Sequence, residues 1–141
     1  MTSHHNRATE WMLALLMLAW GIAMFVSDPS DPPRHYKLLL LLAPETVWAA
    51  WAISLGLLRI VALYINGNWY RTPAIRLLCA NIGMTWWLVL GFMLRMAFDS
   101  GPIPAFLAWF PVFIGFEAYA IYRSAQDCYH SGALQWSRQR V

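Results

Sequence analysis

Arg59, Asn81 and Glu117 lie inside long apolar stretches of the sequence, where a charge or an amide is costly. Their depths match. Arg59 precedes Asn66 by seven residues, Glu117 precedes Arg123 by six and Asn81 follows Arg76 by five. At the helical rise these are about 10, 9 and 8 Å from the same end of a bundle. The spacing predicts a cation, an amide and an anion in one layer, with Arg59 and Glu117 as partners, because an unpaired charge there is unfavourable. Such a layer suits an ion or proton path, or a polar seam that opens on assembly. It suits equally a buried pair that fixes helix register, or an Arg that snorkels to the headgroups.

Other reactive side chains form no constellation. Arg95 and Asp99 are four residues apart and can neutralise each other at a helix end, and Asp127 follows Arg123 with the same spacing on what reads as a solvated face. His4, His5, His35 and His130 all fall outside the apolar stretches, so none can be an axial haem ligand within a bundle. Cys79 and Cys128 form no CxxC pair or metal spacing and read as free thiols. Ser54, Thr85 and Ser100 have no nearby His, and the sequence contains no phosphate loop or HExxH motif. The expectation is a protein without catalytic residues, metal or cofactor. Met12, Met17 and Met24 read as lipid-facing or packing residues.

The elements that position these residues follow from composition. The 141 residues are 60% hydrophobic, 16% aromatic and 12% charged, against about 25% charged in an average soluble domain. A small soluble protein needs more charge to cover its surface, so a water-soluble enzyme or nucleic-acid module is excluded. The net charge is +3, and nine of the ten basic residues are Arg, dispersed between the apolar runs rather than clustered as a nucleic-acid footprint.

Four segments approach or exceed the length of about 20 residues that crosses a bilayer. The first covers about 8–26 and lacks a small-x-small cleavage site at its end, so it reads as an anchor. Asp28-Pro29-Ser30-Asp31-Pro32-Pro33 breaks it. Tyr36 to Ala43, with five consecutive Leu, is too short to span and reads as an interfacial helix anchored by Tyr36 and Lys37. Pro44-Glu45 starts the second span, about 45–65, which Asn66-Gly67-Asn68 ends. Thr72-Pro73 opens the third, about 74–98. Asp99-Ser100-Gly101-Pro102 turns into the fourth, about 103–122, in which Pro111 predicts a kink. A tail, 123–141, continues as helix until Ser131-Gly132. The expected fold is an all-α four-helix transmembrane bundle with a short interfacial helix between spans one and two.

Basic residues orient it. With both termini in the cytoplasm, Arg7, Arg71, Arg76, Arg123, Arg138 and Arg140 face inward, whereas Arg34, Lys37 and Arg95 face outward. Trp11, Trp48, Trp69, Tyr70 and Tyr122 fall near the boundaries, as aromatic belts do. For helix packing, Ala19/Ala23 in the first span and Ala52/Gly56 in the second form small-xxx-small pairs.

The stretch from Leu57 through Arg59, Asn66-Gly67-Asn68-Trp69-Tyr70-Arg71 to Pro73 resembles small multi-span membrane proteins of bacteriophages and prophages of Gram-negative bacteria. The ending from Glu117 through Tyr119, Tyr122 and Arg123 to Asp127 shares that resemblance. It implies a multi-pass protein of the host inner membrane, and holins belong to this class. A holin-like protein would associate laterally into homo-oligomers in the lipid bilayer and permeabilise it. The tail departs from a dense basic cluster, because it carries Asp127. A non-catalytic subunit that binds a membrane partner or excludes a second phage, and an oligomeric small-solute channel, are the competing expectations.

Overall fold

A computed structural model of the chain describes residues 7–27, 36–65, 72–98 and 105–131. Among them α1 (Ala8–Val26), α3 (Glu45–Ile65), α4 (Thr72–Ala97) and α5 (Trp109–Ser131) are long helices, and α2 (Lys37–Leu42) is a single short one. A 3-10 turn, Ala105–Ala108, leads into α5. All four long helices, α5 together with its 3-10 turn, are long and apolar enough to cross a membrane. The protein is an all-α four-helix bundle.

Sequence chemistry accounts for the boundaries. Glu10 and Glu45 occupy the first turns of α1 and α3, where an acid faces the positive end of the helix dipole. Pro44 precedes α3 and its carbonyl accepts from the backbone of Val47 and Trp48. Two expectations are corrected at the proline-bearing starts. The third span begins at Thr72 rather than Ala74, because Pro73 fits within a first turn that needs no helical N–H. Pro111 falls in the first turn of α5, where the 3-10 turn passes into the α-helix, rather than deep in the span. α5 then runs without a break past Tyr122 to Ser131.

The helices pack as two pairs, α1 with α3 and α4 with α5. In the first pair the backbones nearly touch: a Cβ on Gly56 would fall 2.9 Å from the Leu18 backbone nitrogen, and one on Gly21 2.8 Å from that of Ile53. Ala52 is fully buried in the same contact. Ala19 and Ala23 lie instead on the exposed side of α1. The inward face of α1 is Leu13, Ala14, Met17, Gly21 and Met24, whose three- and four-residue steps form one stripe.

One half of the bundle is closed by aromatic rings. Trp86 meets Trp20 and Trp48 with ring centroids 5.3 and 5.5 Å apart, and Trp87 meets Phe113 at 4.9 Å. α2 inserts Leu39 into this core while Leu41 and Leu42 remain exposed. Trp48 lies in the first turn of α3 and is half-buried. Its indole nitrogen donates to the carbonyls of Leu39 and Ala43, tying α2 to α3. The outer surface is apolar, with Phe25, Leu78, Phe92 and Trp109 each more than half exposed. Of the methionines, Met12 is exposed whereas Met17 and Met24 are buried.

Candidate functional site

Charge holds the other half together. Arg59 on α3 and Glu117 on α5 form a two-pronged pair: Arg59 Nη1 donates to Glu117 Oε1 at 2.5 Å and Nη2 to Oε2 at 2.8 Å. Both side chains are almost fully buried. Gly83 of α4 supplies the space. A Cβ there would fall 2.7 Å from Arg59 Nη1 and closer still to the Glu117 carboxylate. One helical turn along α4, Trp87 turns its buried indole N–H toward Glu117 without closing a hydrogen bond.

A second layer lies nearer the ends of the helices. Arg76 on α4 donates from Nε and Nη2 to Glu10 of α1, at 2.7 and 2.5 Å, and from Nη1 to Asp127 of α5 at 2.9 Å. Arg76 and Glu10 are buried, whereas the Asp127 side chain is about a third exposed. Seven residues separate Arg76 from Gly83, two turns along one face of α4, so the layers are about 10 Å apart. These contacts place the start of α1, the end of α3, the start of α4 and the end of α5 at one end of the bundle. Arg7, just before α1, joins this end. Partial burial and the neighbouring Arg76 lower its guanidinium pKa, and Asp127 and Glu10 oppose that shift.

The charges join the two helix pairs at this end, as the rings of Trp20, Trp48 and Trp86 do in the other half. Arg59–Glu117 crosses from the α1/α3 pair to the α4/α5 pair, and so does Glu10–Arg76. Between the layers a cavity of about 10 Å³ is lined by Glu10, Arg59, Arg76, Cys79 and three apolar residues. That is about the room a single water needs. The Ser124 hydroxyl, buried one turn beyond Ala120 of the cavity wall, has no hydrogen-bond partner among the described residues.

Of the three residues expected in one layer, the structure brings together two. Asn81 is excluded: it is exposed on the outside of α4, and its amide nitrogen donates to the Leu77 carbonyl at 2.8 Å. Matching depth gives no direction around the helix. Asn81 is two residues from Gly83, about 200° away from the face that meets Glu117. Ala52 and Gly56 pack within the chain against α1, so they are not free for contact between copies.

Asp127 does not mark a solvated face: it pairs with Arg76 in the second layer. Glu10 carried no signal beyond an acid in a first turn. The usable clue was Arg76 two turns from Gly83 on one face. Arg95 donates to the Phe98 carbonyl at 2.8 Å, and Asp99, its expected partner, lies outside the described residues. So do Asn66 to Arg71, Arg138, Arg140, His4, His5 and His35, and the side chain of Lys37. Cys79 and Cys128 are buried free thiols. Among the described residues no cluster of His, Cys, Asp or Glu is arranged to hold a metal ion. Comparison with protein-family models, curated proteins and solved structures gives no match to this chain.

Proposed function

We propose that this is a small integral protein of a bacterial inner membrane, of phage type, that acts in a holin-like way through lateral association and membrane permeabilisation. The observation that carries the reading is the division of the bundle into two self-packed helix pairs, clamped to each other by charge at one end. Such pairs can exchange an internal charged partner for the same partner on a neighbouring copy, charge for charge, without leaving a bare ion in lipid. The action is physical, with no catalytic residue and no cofactor. The exposed apolar surface supports a bilayer as the surroundings.

Basic residues support cytoplasmic termini. With Arg76 withdrawn into the bundle, Arg7, Arg71, Arg123, Arg138 and Arg140 still outnumber Arg34, Lys37 and Arg95. Induced expression, followed with a membrane-potential dye, is expected to cause abrupt depolarisation. Unchanged potential and viability at high expression overturn the reading.

One observation favours a second reading, a non-catalytic membrane subunit or exclusion factor: both ion-pair layers are complete within a single copy. That reading expects co-purification with a membrane partner and no leak. A solute channel would require the bundle to open, since the cavity between the layers has room for about one water.

A further inference from the structure

Asn81 faces outward near the middle of a span. α4 runs from Thr72 to Ala97, so Asn81 is about 5 Å from its midpoint and Thr85 almost at it. Both side chains are exposed, and so is Ser54 at the middle of α3. Their local bonds leave capacity unused. The Asn81 side-chain amide donates to the Leu77 carbonyl and Thr85 donates to the Asn81 backbone carbonyl, while the Asn81 side-chain oxygen has no partner among the described residues. Acyl chains supply neither donor nor acceptor.

The surroundings of these groups form a shallow, open groove. Asn81 and Thr85 line a hollow of about 390 Å³ with Trp48, Trp51, Ile82, Trp86 and Val89. Trp48 and Trp51 are shared with an adjoining hollow of about 460 Å³ that reaches Ser54. Trp51 is half exposed between the two.

We infer that this α3/α4 face, centred on Asn81, is where a second copy of the chain docks. A carboxamide carries both donors and an acceptor, so two Asn81 side chains can pair with each other across a two-fold axis. Trp51 of each copy then fills the groove of the other. A polar group is satisfied in the hydrocarbon by exchange with an identical group, which a lipid tail cannot provide. The inference rests on the holin-like reading insofar as it names the contact through which copies associate. It places that contact at an amide among tryptophans and not at the exposed small residues Ala19 and Ala23 of α1.

The full-length protein in native membranes tests it, with disulfide cross-linking through Asn81→Cys and proximity energy transfer between tagged copies. Asn81→Cys is expected to cross-link as a dimer on oxidation, whereas the wild type, whose cysteines are buried, is not. Without oxidant, Asn81→Leu is expected to weaken self-association about tenfold, the size of one interhelical hydrogen bond in lipid. Asn81→Gln should retain it, and Ala19→Leu with Ala23→Leu should leave it unchanged. Helical content and ordinary expression of Asn81→Leu exclude misfolding, because the side chain is exposed on the outside of α4.

Undiminished energy transfer in Asn81→Leu, or its loss in the Ala19/Ala23 variant alone, overturns the α3/α4 assignment. Depolarisation is read separately. Dimers that form through Asn81 without any loss of potential leave this inference standing and remove the holin-like reading.

Discussion

At the Glu10/Arg76 end the helices meet through charge-assisted hydrogen bonds, and at the Trp86 end they meet through rings and leucines. Lipid affects these ends differently. Apolar side chains gain little by leaving acyl chains for a protein core, so the aromatic end depends on shape and close contact. Charged groups gain a great deal by finding each other, because nothing else in the hydrocarbon can satisfy them. The charged end therefore selects partners and register, while the aromatic end fills space. A fold joined this way is tolerant where it is aromatic and exacting where it is ionic.

Removing one member of a pair should break that contrast most sharply. Glu117→Ala strands Arg59 and is expected to cost about 3–5 kcal/mol, read as loss of folded protein in a detergent denaturation series. The double change Arg59→Leu with Glu117→Leu should cost less than about 1 kcal/mol, since the desolvation penalty disappears with the attraction. If single and double variants are equally damaged, the pair is not what specifies the register.

Trp86→Ala should come next, at about 2–3 kcal/mol. The packing and cavity terms remain there, but the transfer term is reduced in lipid. Unlike Glu117→Ala, it should be rescued in part by Trp86→Phe.

Gly83→Ala sharpens the comparison, because it places one methyl group against the Arg59–Glu117 pair. An expected cost of about 1–3 kcal/mol follows from overpacking, and it should vanish in the Leu/Leu background, where the fork no longer fills that space. A cost independent of the pair would mean that Gly83 serves helix packing alone.

The smallest effect lies at the aromatic end. Burial, with the Glu45 carboxylate nearby, raises the Tyr36 pKa above its ordinary value. A raised pKa means that the folded state holds its proton longer than the unfolded state. The stabilisation is complete below the usual tyrosine range and is lost as pH rises through the raised value. Thermal stability in detergent should therefore decline in strongly alkaline solution, with the Tyr36→Phe variant showing a shallower decline. Identical profiles would remove Tyr36 from that account.

Much of this was legible from one dimension. The four long helices follow from apolar length, and the α3 start from Pro44 and Glu45. Arg59 and Glu117 could be matched because height above one end of the bundle follows from sequence position, and α3 and α5 both run toward that end. Asn81 passed that same depth test and still lies on the outside, because depth says nothing about direction around an axis. Glu10, Arg76 and Asp127 belong to three helices whose neighbours are chosen only when the bundle closes. Which helix faces which, and at what rotation, is decided by backbone contact at Gly21 and Gly56 and by the space left at Gly83. The sequence by itself determined that charges had to be buried in an apolar, helical chain. Only the tertiary structure decided which of them meet, because pairing in lipid depends on angle as strongly as on height.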